Sequence, residues 1–259
     1  MRILCIGDVT GEGGVRLLSD KLWQFRKENR IDFCIVNAEN AAFITGASPE
    51  IAERLLAAGA DCLSGGNHTL RNRAAYTYLD DTEAMLRPIN FGAEAPGHGY
   101  AILDAMGYRM LVISALGNVN MDPTLDNPYG HIDRVLEREA GRYDFSVLDI
   151  HAEATGEKKT LANAFSHKLT VFAGTHTHVK TADLCILETG CGYITDLGMC
   201  GVENSSLGVC FEDTEAMMRT HMPRKFSLAK GKISINGAVF TVDLEKRKTV
   251  EVRSIGITV

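Results

Sequence analysis

Two histidines one residue apart, His176 and His178, follow the apolar run Leu169-Thr170-Val171-Phe172-Ala173 by way of Gly174-Thr175. The run reads as a buried strand, so the His-x-His pair stands on a loop at its C-terminal end. Open α/β sheets place their ligands at that edge. In an extended loop, residues i and i+2 project to one side, where two imidazoles can share one metal or each hold one of a pair. Four other apolar runs stop in the same manner. Residues 2–7 end at Asp8, residues 33–36 lead into Asn37-Ala38-Glu39-Asn40, residues 61–66 end at Asn67-His68, and residues 145–150 end at His151-Ala152-Glu153. Oxygen and nitrogen donors without paired thiolates suit Mn, Fe or Zn better than a structural zinc site would.

Each residue also has a plainer role. Asp8 could cap a following helix. Glu39 and Asn40 could be turn residues. Asn67, after Gly65-Gly66, could take a left-handed turn conformation. His151 could be a satisfied core histidine. None of these roles explains why all of them fall at the same end of successive strands, and the constellation is read as one site.

Gly7-Asp8, Gly65-Gly66-Asn67-His68 and Gly174-Thr175-His176-Thr177-His178 resemble the signature blocks of calcineurin-type metallophosphoesterases. A closer resemblance is to the YmdB-like phosphodiesterases. It is carried by Ile6-Gly7-Asp8-Val9, Val36-Asn37-Ala38-Glu39-Asn40-Ala41-Ala42, Gly66-Asn67-His68-Thr69, Arg87-Pro88, His151-Ala152-Glu153-Ala154-Thr155, the His-x-His block through Val179, Thr181-Ala182-Asp183 and Tyr193-Ile194-Thr195-Asp196-Leu197-Gly198-Met199. These blocks span most of the chain in the family's order. The resemblance implies a four-layer αββα sandwich and a dinuclear metal site. Asp8, Glu39, Asn40 and His178 would hold one ion. Glu39, Asn67, His151 and His176 would hold the other, with Glu39 bridging and His68 as proton donor. The family's wider pattern has Asp-x-His in its first block; Thr10 stands at that histidine's position here, and Asn40 is the matching substitute. Residues 91–99 and 118–130 follow the pattern loosely and are expected to line or cover the substrate pocket.

A phosphodiester is anionic and repels hydroxide. Two divalent ions about 3.5–4 Å apart can bind the phosphate, share a hydroxide and lower its pKa toward neutrality. Asp8 and Glu39 would offset part of the cation charge, while neutral Asn and His donors would leave the cluster positive. His68, next to Asn67, would protonate the leaving oxygen; a supporting role that orients a ligand is its alternative. The reading is a phosphodiesterase of small phosphodiesters, with cyclic nucleotides such as cAMP as substrates and two divalent ions, Fe or Mn before Zn, as cofactors. The alternatives are a phosphomonoesterase or nucleotidase, and a regulatory protein that binds a nucleotide or partner with little turnover.

The rest of the chain must supply the frame. Its 259 residues suffice for one α/β domain over residues 1–259, and 45% hydrophobic with 23% charged residues is ordinary for a globular protein. A net charge of -6 gives no support for a broad nucleic-acid footprint. No apolar stretch is long enough to span a bilayer. Seven cysteines with no Cys-x-x-Cys spacing suggest a reducing cytoplasm. The sequence admits a homo-oligomer without specifying one. Leu18, Leu22 and Phe25 recur at helical spacing. Ser48-Pro49 opens a second helix that closes near Gly59. Residues 133–139 form another, before the strand that ends at His151. Residues 184–187 and 192–195 read as short strands, residues 214–219 as a short helix, and residues 232–259 as β-hairpins. Arg71-Asn72-Arg73 reads as a solvated helix face, and the lysines of the C-terminal region as hairpin ends.

Overall fold

A computed structural model describes residues 1–43 and 45–258. The first strands set the architecture. In β1 (Arg2–Ile6), Ile3 and Cys5 point to one face and Leu4 and Ile6 to the other, and all four are buried. Strands that are apolar on both faces must be covered on both.

Two sheets meet this demand. The first adds β2 (Asp8–Val9), β3 (Phe33–Asn37), β4 (Cys62–Ser64), β11 (Met199–Val202) and β12 (Ile233–Asp243) to β1, in the order β2-β11-β12-β1-β3-β4; β13 (Lys248–Thr258) pairs with β12. Strands β1, β3 and β4 are parallel, and β12 runs antiparallel to β1. The second sheet comprises β5 (Tyr100–Ala105), β6 (Tyr108–Leu116), β7 (Phe145–His151), β8 (Val171–Thr175), β9 (Cys185–Ile186) and β10 (Gly192–Ile194), in the order β5-β6-β7-β8-β10-β9. Its four inner strands are parallel and its two edge strands antiparallel.

The inner faces pack through Ile3, Phe33 and Ile35 on one side and Val112, Phe145 and Val147 on the other, with Phe240 of β12 among them. Helices α1 (Gly11–Asn29) and α2 (Pro49–Ala57) cover the first sheet's outer face with Leu18, Leu22 and Leu55, and α3 (Tyr76–Asp81) adds Leu79. Helices α4 (Pro128–Arg138) and α5 (Thr155–Phe165) cover the second with Ile132, Leu136, Leu161 and Phe165. The result is the four-layer αββα sandwich. Helix α6 (Phe211–Thr220) buries only Asp213 of its own residues.

Local signals explain most boundaries. The Ser48 hydroxyl accepts from the Ile51 N–H at 3.3 Å, and Pro49 takes the first turn of α2. Helix α4 begins at Pro128 rather than near 133, because Asn127 accepts from the Tyr129 N–H at 2.9 Å and caps it earlier. The hairpin of β5 and β6 was not among the expected strands, although β6 lies within the second sheet. The C-terminal hairpins prove to be one, with two strands of 11 residues each; Val259 lies outside the described residues. Among the described residues, no helix is long and apolar enough to cross a membrane. All seven cysteines are free, and burial pushes the Cys191 and Cys200 thiols up to about 12, so these two act as small apolar groups.

Phe240 is wholly buried between the sheets. Phe240→Ala should therefore cost about 3–5 kcal/mol in urea unfolding, with an unchanged slope. A loss below about 1 kcal/mol would contradict the packing described for this layer.

Candidate metal centre

The parallel strands of both sheets end at one edge of the sandwich, and the donors at those ends meet there. Asp8 and Glu39, fully buried, face each other across the turn that follows β3. Each carboxylate spends one oxygen on a backbone donor. Asp8 Oδ2 accepts from the His176 N–H at 3.0 Å, and Glu39 Oε2 from the His68 N–H at 3.0 Å. The other oxygens, Asp8 Oδ1 and Glu39 Oε1, are buried without any hydrogen-bond partner among the described residues. Asp8 is thus no helix cap; Thr10 occupies the cap position of α1. One ligand atom from each of Asp8, Glu39 and His178 lies within 4.8 Å of the others.

A second set of acceptors converges beside the first. His151 Nε2 lies 3.1 Å from Asn67 Oδ1, 3.1 Å from His176 Nδ1 and 3.7 Å from Glu39 Oε1. Bonds behind each group fix which atom faces inward. The Thr175 hydroxyl donates to Asp149 Oδ1 at 2.8 Å, so its lone pair accepts from His151 Nδ1–H at 3.0 Å and leaves Nε2 bare. Asn67 Nδ2 donates to the Asp122 carbonyl at 3.1 Å, which turns Oδ1 inward. His176 Nε2 faces Glu153 Oε2 at 3.1 Å, which leaves Nδ1 for the site. His178 Nδ1 donates to the Leu207 carbonyl at 3.0 Å and leaves Nε2 inward.

Asp8 Oδ1, Glu39 Oε1 and the inward lone pairs of His151 and His176 repel one another, and a cation is the group that would relieve this. The mixed carboxylate, amide and imidazole set fits Mn, Fe or Zn. Asp8, Glu39, Asn40 and His178 would hold one ion, and Glu39, Asn67, His151 and His176 the other. Asn40 donates Nδ2 to His178 Nε2 at 3.1 Å and offers Oδ1 to His68 Nδ1 at 2.8 Å. To act as an oxygen ligand, its amide would turn over. The His-x-His loop is not extended. His176 and His178 have φ of 105° and 63°, left-handed values that cost energy in a non-glycine residue, and the two imidazoles turn to different partners. A Cβ at Gly66 would lie 2.5 Å from His151 Cδ2, so the close approach of that loop requires glycine.

Electrostatics follow from burial. Burial and the Glu39 carboxylate push the Asp8 carboxyl well above the usual range. Burial opposes ionisation of Glu39 too, but the His151 and His68 groups hold it below that range. Burial holds His151 well below, and His176 below, the ordinary imidazole value.

Several supporting residues were not singled out from the sequence. Asp149 collects donors from Ser64, Asn37 at 2.9 Å and Thr175, and its signal was a lone carboxylate inside an apolar strand. Lys158 is wholly buried; its Nζ donates to Asp196 Oδ2 at 2.9 Å and the Thr175 carbonyl at 2.7 Å. Asp196 in turn accepts from the Thr177 and Gly198 N–H groups, so this ion pair holds the His-x-His loop from beneath. Nothing in the sequence marked Lys158, which looks like half of a solvated Lys-Lys pair. Of the two segments expected over the pocket, residues 93–95 and 97–99 line a separate cavity, whereas residues 118–130 meet the site where the Asp122 carbonyl holds Asn67. Arg71 and Arg73 are exposed, on short 3-10 turns rather than an α-helix face.

Comparison with known proteins gives a consistent result. The model of a family described as YmdB-like protein matches residues 4–255. A Bacillus subtilis protein named 2',3'-cyclic-nucleotide 2'-phosphodiesterase is 36% identical over 255 residues, covering 98% of this chain and 96% of its own. A crystal structure described as a novel phosphatase from Mycoplasma pneumoniae superposes with a TM-score of 0.93 at 30% identity, covering 100% of this chain and 93% of that one. A structure of a hypothetical protein from Thermus thermophilus gives a TM-score of 0.92 at 35% identity, covering 100% and 99% of the two chains.

Removing one partner of a buried ion pair strands the other. Lys158→Met should cost about 3–5 kcal/mol in urea unfolding with chelator present, so that metal linkage does not enter. Wild-type stability in that variant would show that the loop does not rest on this pair.

Proposed function

Since this chain belongs to the YmdB-like protein family, we propose that it is a metal-dependent phosphodiesterase of small cyclic-nucleotide diesters. It is a phosphoric ester hydrolase; the name of the Bacillus subtilis relative puts 2',3'-cyclic nucleotides first among the substrates, ahead of 3',5'-cyclic AMP. The observation that carries this reading is the convergence of Asn67, His176 and Glu39 acceptor atoms around His151 Nε2, with Asp8 and His178 beside Glu39 and His68 against its other oxygen.

Two divalent ions, Fe or Mn before Zn, would supply charge that polarises the phosphoryl oxygens and activates an attacking water. The chain's own residues do the rest. His68 lines the cleft with Nδ1 3.2 Å from Glu39 Oε2, a contact that does not depend on which way the Asn40 amide faces. With Nδ1 engaged there, the ring's other nitrogen, Nε2, would carry the proton to a leaving oxygen when the ring is protonated. Asp149, through Thr175, keeps His151 in the tautomer that offers Nε2. Lys158 and Asp196 keep His176 and His178 in their strained backbone positions. Free, largely buried cysteines suit a reducing compartment, so the reading includes a cytoplasmic location.

A diester carries one negative charge, whereas a monoester dianion would bind a cationic cluster tightly in its ground state. Tight ground-state binding does not raise turnover. With Mn or Fe supplied, kcat/KM should favour adenosine 2',3'-cyclic phosphate over 2'- and 3'-AMP by about tenfold or more. His68→Ala should lose about 10²–10⁴-fold on that diester, and less on a nitrophenyl diester whose leaving oxygen needs little protonation. Preference for monoesters would overturn the diesterase reading, and equal losses for both leaving groups would remove the acid role from His68.

A further inference from the structure

The cleft over the metal-type residues encloses about 410 Å³, within the range of small-molecule sites, and its two walls differ in kind. One wall is Glu39, Asn40, His68, His176 and His178. The late segments supply Leu207, Val209, Phe226 and Leu228, which carry no charge and no metal-type donor, with the hydroxyls of Ser206 and Thr214 among them. These four come from two late segments that hold each other. Cys210 N–H donates to the Ser227 carbonyl at 2.9 Å, Ala229 N–H to the Gly208 carbonyl at 3.0 Å, and Ser227 N–H to Asp213 Oδ2 at 2.8 Å. The wall is also tied to the opposite one, because the Leu207 carbonyl accepts from His178 Nδ1. Leu207 has a φ of 55°, a strained value for a leucine, and its side chain is half exposed at the rim. Phe226 and Leu228 are only partly buried. An aromatic ring and three aliphatic side chains left partly open beside a polar centre mark a surface meant to be covered.

We infer that this wall seats the nucleobase of the substrate, with the phosphate held at the opposite wall and the sugar between. The inference rests on the diesterase reading and deepens it by assigning recognition of the base to Leu207, Val209, Phe226 and Leu228. A base has a flat apolar face and no charge, which suits a wall of this composition. A sugar or glycerol diester would leave the wall wet. The wall offers no cation to a second phosphate, so neither a pyrophosphate nor a polynucleotide backbone finds a partner on it. Stacking of a base on an aromatic ring, removed by alanine substitution, is worth roughly five- to 150-fold in binding.

The test compares two substrates with the same reacting centre, adenosine 2',3'-cyclic phosphate and 1-O-methylribose 2',3'-cyclic phosphate, on metal-loaded protein. Wild type should prefer the nucleoside, and Phe226→Ala should shrink that preference by about tenfold, mainly through KM; Phe226→Tyr should restore most of it. Calorimetric binding of adenosine to the wild-type protein gives a readout independent of turnover and of how any variant folds. If both cyclic phosphates are hydrolysed equally well and adenosine does not bind, the base seat is wrong and the diesterase reading stands. If neither is hydrolysed, yet adenosine binds and Phe226→Ala weakens it, the seat stands and the diesterase reading fails.

Discussion

Asp8 and Glu39 are two carboxylates shut away from water at the meeting point of two sheets, and each has one oxygen with nothing to bond to among the described residues. Burying unpaired anionic oxygen is among the costliest things a protein can do. The neighbours make the arrangement harder still to explain without a cation. His151, His176, Asn67 and His178 are each held from behind so that an acceptor, not a donor, faces the pair. The folded chain thus maintains an electrostatic demand at one point. The parallel strands, the left-handed backbone at His176 and His178 and the buried Lys158–Asp196 pair all serve to hold that demand in place.

Such a centre is asymmetric by construction. Its carboxylates lie on the first sheet, and three of its imidazoles, those of His151, His176 and His178, come from the second. The inner-face core of Phe33, Phe145 and Phe240 therefore sets the distance across the site as well as the stability of the fold. The cleft above takes its polar side from these strand ends and its apolar side from residues 206–228, which join the chain's last strands to the sandwich. The hydrogen bond from His178 to the Leu207 carbonyl is where the two meet, so the position of one imidazole is coupled to the shape of the apolar wall.

Much of this was legible in the sequence because strand ends announce themselves. An apolar run that stops at Asp8, or at Asn67-His68, states both its element and its edge, and the periodicity of α1 and α2 follows from the face they bury. The grouping into two ligand sets comes from the family resemblance alone. Contacts between distant segments were not legible. Lys158 looks solvated until the second sheet is assembled over it. The role of Asp149 appears only when Ser64 and Asn37, from the other sheet, come within reach. The apolar wall was missed for the same reason: Leu207 and Phe226 are unremarkable in sequence and acquire meaning only opposite Glu39. Residues 91–99 drew attention through a loose family match, which says nothing of where a loop folds.

The central claim is that the buried Asp8–Glu39 pair exists to be neutralised by metal, with Glu39 serving both ions. Elemental analysis of protein purified with Mn and Fe supplied, set beside Glu39→Ala handled identically, tests it most directly. The account predicts roughly two ions per chain in the wild type and loss of both in the variant. Full occupancy in Glu39→Ala, or a well-folded wild type that takes up no metal at all, would contradict it.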